Sequence, residues 1–133
     1  MTGRGLTLIL LGLALVLAAC DTDAPSVIAF EAIPDSGDAE NGALLFEQSI
    51  GGTAPCASCH MEGAAGAPHI EAGYDALAAD RVEGQSAREY TFYAITEPAQ
   101  HIVDGYGNAM PNQYDENLTE QQIADLIEYM LGL

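Results

Sequence analysis

Lysine and tryptophan are absent from the 133 residues, and the basic side chains are three arginines, Arg4, Arg81 and Arg88, set against 20 acids. The resulting net charge of −17 opposes contact with phosphate backbones or anionic lipid head groups, so nucleic acid is excluded as a partner. A protein that docks on this chain has to offer a basic face. The other reading of the acidic shell is solubility, or adaptation to salty surroundings. Cysteine is scarce as well. Cys20, Cys56 and Cys59 do not make the framework of a disulfide-rich mini-domain: one ends an apolar run, and two stand close together before a histidine. No apolar run reaches the roughly 20 residues that cross a bilayer comfortably. Internal repeats, extended low-complexity tracts and persistent strand alternation are also missing, and the length leaves room for one small domain.

What is present begins with a leader. Arg4 precedes the apolar run Leu6 to Leu17, which has the length of a signal-peptide core and predicts a signal peptide over residues 1–19. The run closes on Leu17-Ala18-Ala19-Cys20, which resembles the bacterial lipobox. That resemblance implies a diacylglyceryl group on Cys20, which becomes the mature N-terminus; the alternative is ordinary cleavage after small residues. Two or more acyl chains, each contributing about 0.8 kcal/mol per buried methylene, give lasting membrane attachment. Residues 20–37 contain Pro25, Pro34 and several acids and predict a flexible linker, with a root-mean-square span of roughly 20–25 Å. The alternative is that Val27 to Phe30 pack on the domain and shorten the tether. Residues 38–133 remain for the folded domain.

Cys56-Ala57-Ser58-Cys59-His60 has the spacing of a c-type haem attachment site. Two thiols must reach two vinyl groups on one edge of a porphyrin, and the histidine after the second thioether is swung under the iron. A large covalent macrocycle would also supply apolar area that so short a chain lacks. Two other chemistries use paired cysteines. A thioredoxin-like site would want a strand–helix redox context, which is absent, and a zinc site would need a fourth ligand.

The second axial ligand has to come from elsewhere. Met61 abuts His60 and cannot reach the opposite haem face. Met130 lies in an amphipathic helix, where methionine is usually core filler. Met110 sits in Gly105-Tyr106-Gly107-Asn108-Ala109-Met110-Pro111, a loop whose glycines permit unusual backbone angles and whose proline stiffens the residue after the sulfur. Met110 is therefore the preferred ligand. His69, close after the attachment turn, reads as structural or solvent-exposed, and His101 is the rival. The choice matters because Met/His ligation raises the reduction potential, whereas a second imidazole favours a lower one.

Helix signals surround these residues. Asp38 is placed to cap a helix through Glu40 to Glu47 that ends near Gly51 and Gly52. Ser86 is placed to cap Ala87 to Thr96, with Tyr90, Ala94 and Tyr93 facing inward and Pro98 closing the segment. Thr119-Glu120-Gln121-Gln122 forms a capping box, with Leu118 positioned to staple onto Ile123. Ile123, Leu126, Ile127 and Met130 then make an apolar stripe at helical spacing.

On these residues the chain from about Asp38 to Leu133 resembles the class I cytochromes c. The resemblance implies an all-α fold of about three to five helices around one covalent haem c, with the first and last helices crossing through Gly42, Phe46 and Tyr129. It implies thioethers at Cys56 and Cys59, iron ligands His60 and Met110, and a Pro68 carbonyl that accepts the other ring N–H of His60. Residues Arg81 to Tyr90, with Ile95, Pro98 and the Gly105 to Pro111 loop, look most like cytochrome domains attached to respiratory oxidases and related membrane complexes. By the same resemblance Arg81 contacts a haem propionate, its other reading being a plain surface arginine. The absence of lysine departs from familiar soluble members and removes their lysine-ringed docking surface.

The function expected is one-electron transfer between membrane-associated redox proteins, with the chain held by its lipid at a bacterial cell membrane and facing the periplasm or another extracytoplasmic space. No small-molecule substrate and no catalytic residue is expected, since nothing in the chain sets a base beside an open iron. Two alternatives remain: a haem-based sensor in which Met110 dissociates, and a fixed haem subunit of an oxidase or reductase complex.

Overall fold

The computed structural model describes residues 28–133. The signal peptide expected over residues 1–19, the lipidation site Cys20 and the first part of the linker lie outside the described residues. Six α-helices follow in chain order: α1 (Ala39–Phe46), α2 (Ala57–His60), α3 (Tyr74–Ala79), α4 (Ala87–Thr96), α5 (Tyr114–Asn117) and α6 (Glu120–Leu131). A 3-10 turn at Phe30–Ala32 precedes them. Among the described residues the only β pairing is an isolated bridge between Ile50 and Thr53, and no helix is long and apolar enough to cross a membrane. The described residues are all-α, as the resemblance implies, and form six α-helices where about three to five were expected. Helices α2 and α5 have four residues each, too few for an apolar stripe to show in the sequence.

The side chains expected to cap helices do so. Asp38 accepts from the backbone N–H groups of Glu40 and Asn41 at 2.9 and 3.2 Å, and Ser86 accepts from Glu89 N–H at 3.1 Å. In the capping box, Gln122 N–H donates to Thr119 at 3.2 Å and Thr119 N–H donates to the Gln122 side chain at 3.0 Å. Helix α1 stops at Phe46, short of Gly51 and Gly52. Those glycines, with φ of 57° and 82°, belong to a separate turn closed by Thr53 N–H on the Ile50 carbonyl at 2.9 Å.

The most extensive contact between helices is that of α1 with α6. Gly42 makes it possible: a Cβ there would run into the Asp125 carbonyl and come within 2.8 Å of Tyr129 Cβ. With no side chain between them the two backbones touch, and Phe46 lies against Tyr129 with ring centroids 5.4 Å apart. Phe46, Ile123, Leu126 and Ile127 are all but inaccessible to solvent. Each contributes about 1.5–3 kcal/mol of apolar burial.

Asp125 lies inside this crossing at 3% exposure. Its carboxylate accepts from Asp38 N–H at 2.7 Å, the Asn41 side-chain amide at 2.6 Å and Gln121 at 2.8 Å. Burial alone would raise its pKa. The hydrogen bonds outweigh burial and hold it below the ordinary carboxylate value.

The composition of residues 20–37 predicts a flexible linker, but residues 28–37 lie on the domain. Phe30 packs on Phe92 of α4 with centroids 5.4 Å apart, Ile33 is buried, and Arg88 donates to the Pro34 carbonyl while facing Glu128 at 3.8 Å. Phe92 is buried beneath Phe30, whereas Thr91 is buried beside Tyr74, whose hydroxyl lies 3.3 Å from its own, and Tyr90 and Ile95 are buried as well.

Candidate haem-binding site

Helix α2 carries the turn expected to attach the haem. Cys56 is its N-cap and Cys59 lies three residues on, so both thiols stand on one face. Cys56 is half-buried, Cys59 is exposed, and neither is in a disulfide. Burial pushes the Cys56 thiol up in pKa. The turn is fixed from before by the Pro55 carbonyl, which accepts from Ser58 N–H at 3.1 Å and from its hydroxyl at 2.6 Å.

His60 ends the same turn. Its Nδ1–H donates to the Pro68 carbonyl at 2.7 Å, and its own carbonyl accepts from Ile70 N–H at 2.9 Å. A carbonyl can only accept, so Nδ1 carries the proton and Nε2 keeps a free lone pair. Burial lowers the pKa of His60, the Pro68 carbonyl partly offsets this, and the nearby His69 lowers it further. A neutral imidazole with one nitrogen tied off is prepared to ligate a metal through the other.

These groups face a cavity of about 320 Å³. Cys56, Cys59, His60, Pro68 and Met110 all line it. A smaller lobe of about 70 Å³ shares Cys56, His60, Pro68 and Met110 and runs inward to Phe46, Leu126 and Met130. The walls are mostly apolar, and two thiols, an imidazole and a thioether are among the groups that line them. Among the described residues, no three His, Cys, Asp or Glu side chains converge as a metal site. The donor set suits a flat, apolar macrocycle that brings its own iron.

Arg81 is half-buried and lines the inner lobe beside Tyr74 and Tyr90. Among the described residues it has no carboxylate partner, unlike Arg88. Tyr74 donates into or accepts from the Thr91 hydroxyl at 3.3 Å, and burial pushes its phenol up to about 12. His101 also lines the larger lobe, exposed and edge-on to Tyr90 with centroids 5.8 Å apart. His69 has a structural contact, Nε2 to the Ala64 carbonyl at 3.1 Å. Met61 is 45% exposed and Met130 is core at 3%. Two aromatic lining residues escape the sequence reading. Tyr74 lies on a helix too short to show a stripe. Tyr114, four residues after Met110, carries no signal beyond being aromatic.

An all-helical domain folded around a cavity that gathers a CxxCH turn, a methionine loop and a tied-off histidine defines a protein of the c-type haem class. The sequence matches the family model described as Cytochrome c over residues 39–133, and the chain belongs to the cytochrome c family. Haem c with its iron is therefore its cofactor, and electron transfer its kind of activity. No curated protein matches the sequence.

Proposed function

We propose that this chain is a lipid-anchored one-electron carrier that passes electrons between membrane-associated redox proteins outside the cytoplasm. In this reading Cys56 and Cys59 hold haem c by thioethers, and His60 and Met110 are the axial ligands of its iron. The observation that carries it is the convergence of both thiols, His60 and Met110 on one apolar cavity. When bound, the haem supplies reversible one-electron exchange between ferric and ferrous iron.

The chain's own residues do the rest. Pro68 holds the His60 ring in one tautomer and orientation. Pro111 and Gly105, at φ of 89°, shape the loop that presents Met110. Arg81 supplies a positive charge for a propionate where, among the described residues, no carboxylate is paired with it. The apolar walls exclude water, which keeps both ligands in place as the iron changes charge.

The acidic shell, with net charge −17, supports partners that present a basic face. The lipobox-like sequence ending at Cys20 supports the anchor and an extracytoplasmic location. Because residues 28–37 pack on the domain, the covalent chain from Cys20 to the start of the domain spans at most about 26–29 Å. Partners are then met close to the membrane.

The rival reading, a sensor in which Met110 dissociates, is favoured by the long irregular connection between α4 and α5 that carries the methionine. The test is a redox titration of the haem-loaded protein, followed by exposure of the reduced form to carbon monoxide. A single reversible one-electron wave with no carbon monoxide adduct supports the carrier. Ready formation of the adduct would replace it with the sensor. Haem that separates from the polypeptide under denaturing conditions would refute attachment through Cys56 and Cys59.

A further inference from the structure

Helix α5 ties the methionine side of the cavity to the attachment side. Tyr114, its first residue, is 4% exposed and follows Met110 by four residues. Its ring lines both lobes of the cavity, and its hydroxyl donates to the Ala54 carbonyl at 3.2 Å. Ala54 stands two residues before Cys56 and lines the larger lobe itself.

The acceptor is held firmly. Ala54 follows the tight turn in which Thr53, through both its N–H and its hydroxyl, bonds the Ile50 carbonyl. A second contact joins the same two segments: a Cβ on Gly51 would strike the side chain of Asn117, the last residue of α5, and Asn117 is itself fixed by donating to the Gln113 carbonyl at 2.6 Å. Both ends of α5 therefore rest on residues 51–54. The connection that carries Met110 is otherwise without regular structure back to α4.

We infer that Tyr114 is a positioning residue: its hydroxyl bond to Ala54 fixes the distance between the Met110 loop and the Cys56–His60 turn, and so strengthens the hold of Met110 on the haem iron. This rests on the assignment of Met110 as ligand. Tyr114 touches neither iron nor substrate in this role. It acts through the loop, by making outward movement of Met110 cost the hydrogen bond to Ala54. An external ligand that displaces Met110 competes against that bond.

The test is imidazole binding to the oxidised, haem-loaded protein, followed by the loss of the weak far-red sulfur-to-iron band. Wild type is compared with Tyr114→Phe, which keeps the ring and removes only the hydroxyl, and with Tyr129→Phe, which removes a hydroxyl on α6. The expected result is about fivefold tighter imidazole binding by Tyr114→Phe, the equivalent of ~1 kcal/mol for one neutral hydrogen bond, with Tyr129→Phe unchanged from wild type. A urea midpoint measured on each variant separates this from plain destabilisation. If Tyr114→Phe lowers the midpoint but binds imidazole like wild type, the positioning role is overturned while Met110 stands as ligand. If wild type shows no far-red band, the ligand assignment fails and the inference falls with it.

Discussion

Replacing Asp125 should be among the most damaging changes available outside the haem cavity. Its carboxylate joins the N-terminus of α1 to α6 at their closest approach, and it accepts three hydrogen bonds at 2.6–2.8 Å. In Asp125→Ala the exposed Gln121 turns to water, but Asp38 N–H and the Asn41 amide lose their acceptor inside the crossing. At about 1–3 kcal/mol for each donor left unsatisfied, the loss is about 3 kcal/mol. For a domain of this size that lowers the melting temperature by roughly 12–24 °C. Asp125→Asn should cost less, about 1 kcal/mol, because the Asn41 amide can turn over and accept from the new side chain while only the charge is lost. The pH dependence has a definite sign. The native pKa of Asp125 lies below its ordinary 3.8, so its contribution is present in full above that pH and is lost as pH falls through the lower native value. The advantage of wild type over Asp125→Asn should hold steady at neutral pH and shrink below pH 3.8. The assay is thermal unfolding of the haem-loaded protein followed by far-ultraviolet circular dichroism across pH. An Asp125→Ala variant within about 0.5 kcal/mol of wild type, the range of an inert surface change, would refute the reasoning.

Gly42→Ala gains about 1 kcal/mol of helix propensity but pushes a methyl into the Asp125 carbonyl. Overpacking of about 1–3 kcal/mol should exceed the gain, and a thermal midpoint equal to or above wild type would show that α1 and α6 are not in backbone contact. Arg81→Gln removes the guanidinium that lines the inner lobe. Positive charge disfavours the oxidised iron, so the reduction potential should fall by about 20–60 mV, the equivalent of ~0.5–1.4 kcal/mol of Coulomb energy near a surface; potentiometry decides it, and an unchanged potential would make Arg81 a plain surface residue. Mass spectrometry of the mature N-terminus should show acyl chains on Cys20, whereas an unmodified N-terminus would remove the anchor.

Much of this architecture was legible in the sequence because local chemistry wrote it there. Asp38, Ser86 and Thr119 announce their helices through side chains that can reach the next N–H groups. The attachment turn is equally local: Cys56, Cys59 and His60 are bound to one another by spacing, and they fall on one short helix. Long-range partners were not legible. In a chain so rich in acids nothing marks Asp125 as the buried one, since its three donors come partly from residues more than 80 positions away. Phe30 and Ile33 read as part of a linker, yet Phe30 packs on Phe92 of α4 and Ile33 is buried. Tyr114 is an ordinary aromatic in sequence, and its meaning depends on Ala54, a residue brought to it only by the fold.

Of the four residues proposed to hold the haem, Met110 depends most on the arrangement of the whole domain and least on local spacing. The most direct measurement is therefore the visible spectrum of the oxidised protein beside that of Met110→Ala. The weak far-red sulfur-to-iron band should be present in wild type and lost in the variant, with the haem still covalently bound. Absence of the band in wild type, or its survival after the substitution, would contradict the account and turn attention to His101.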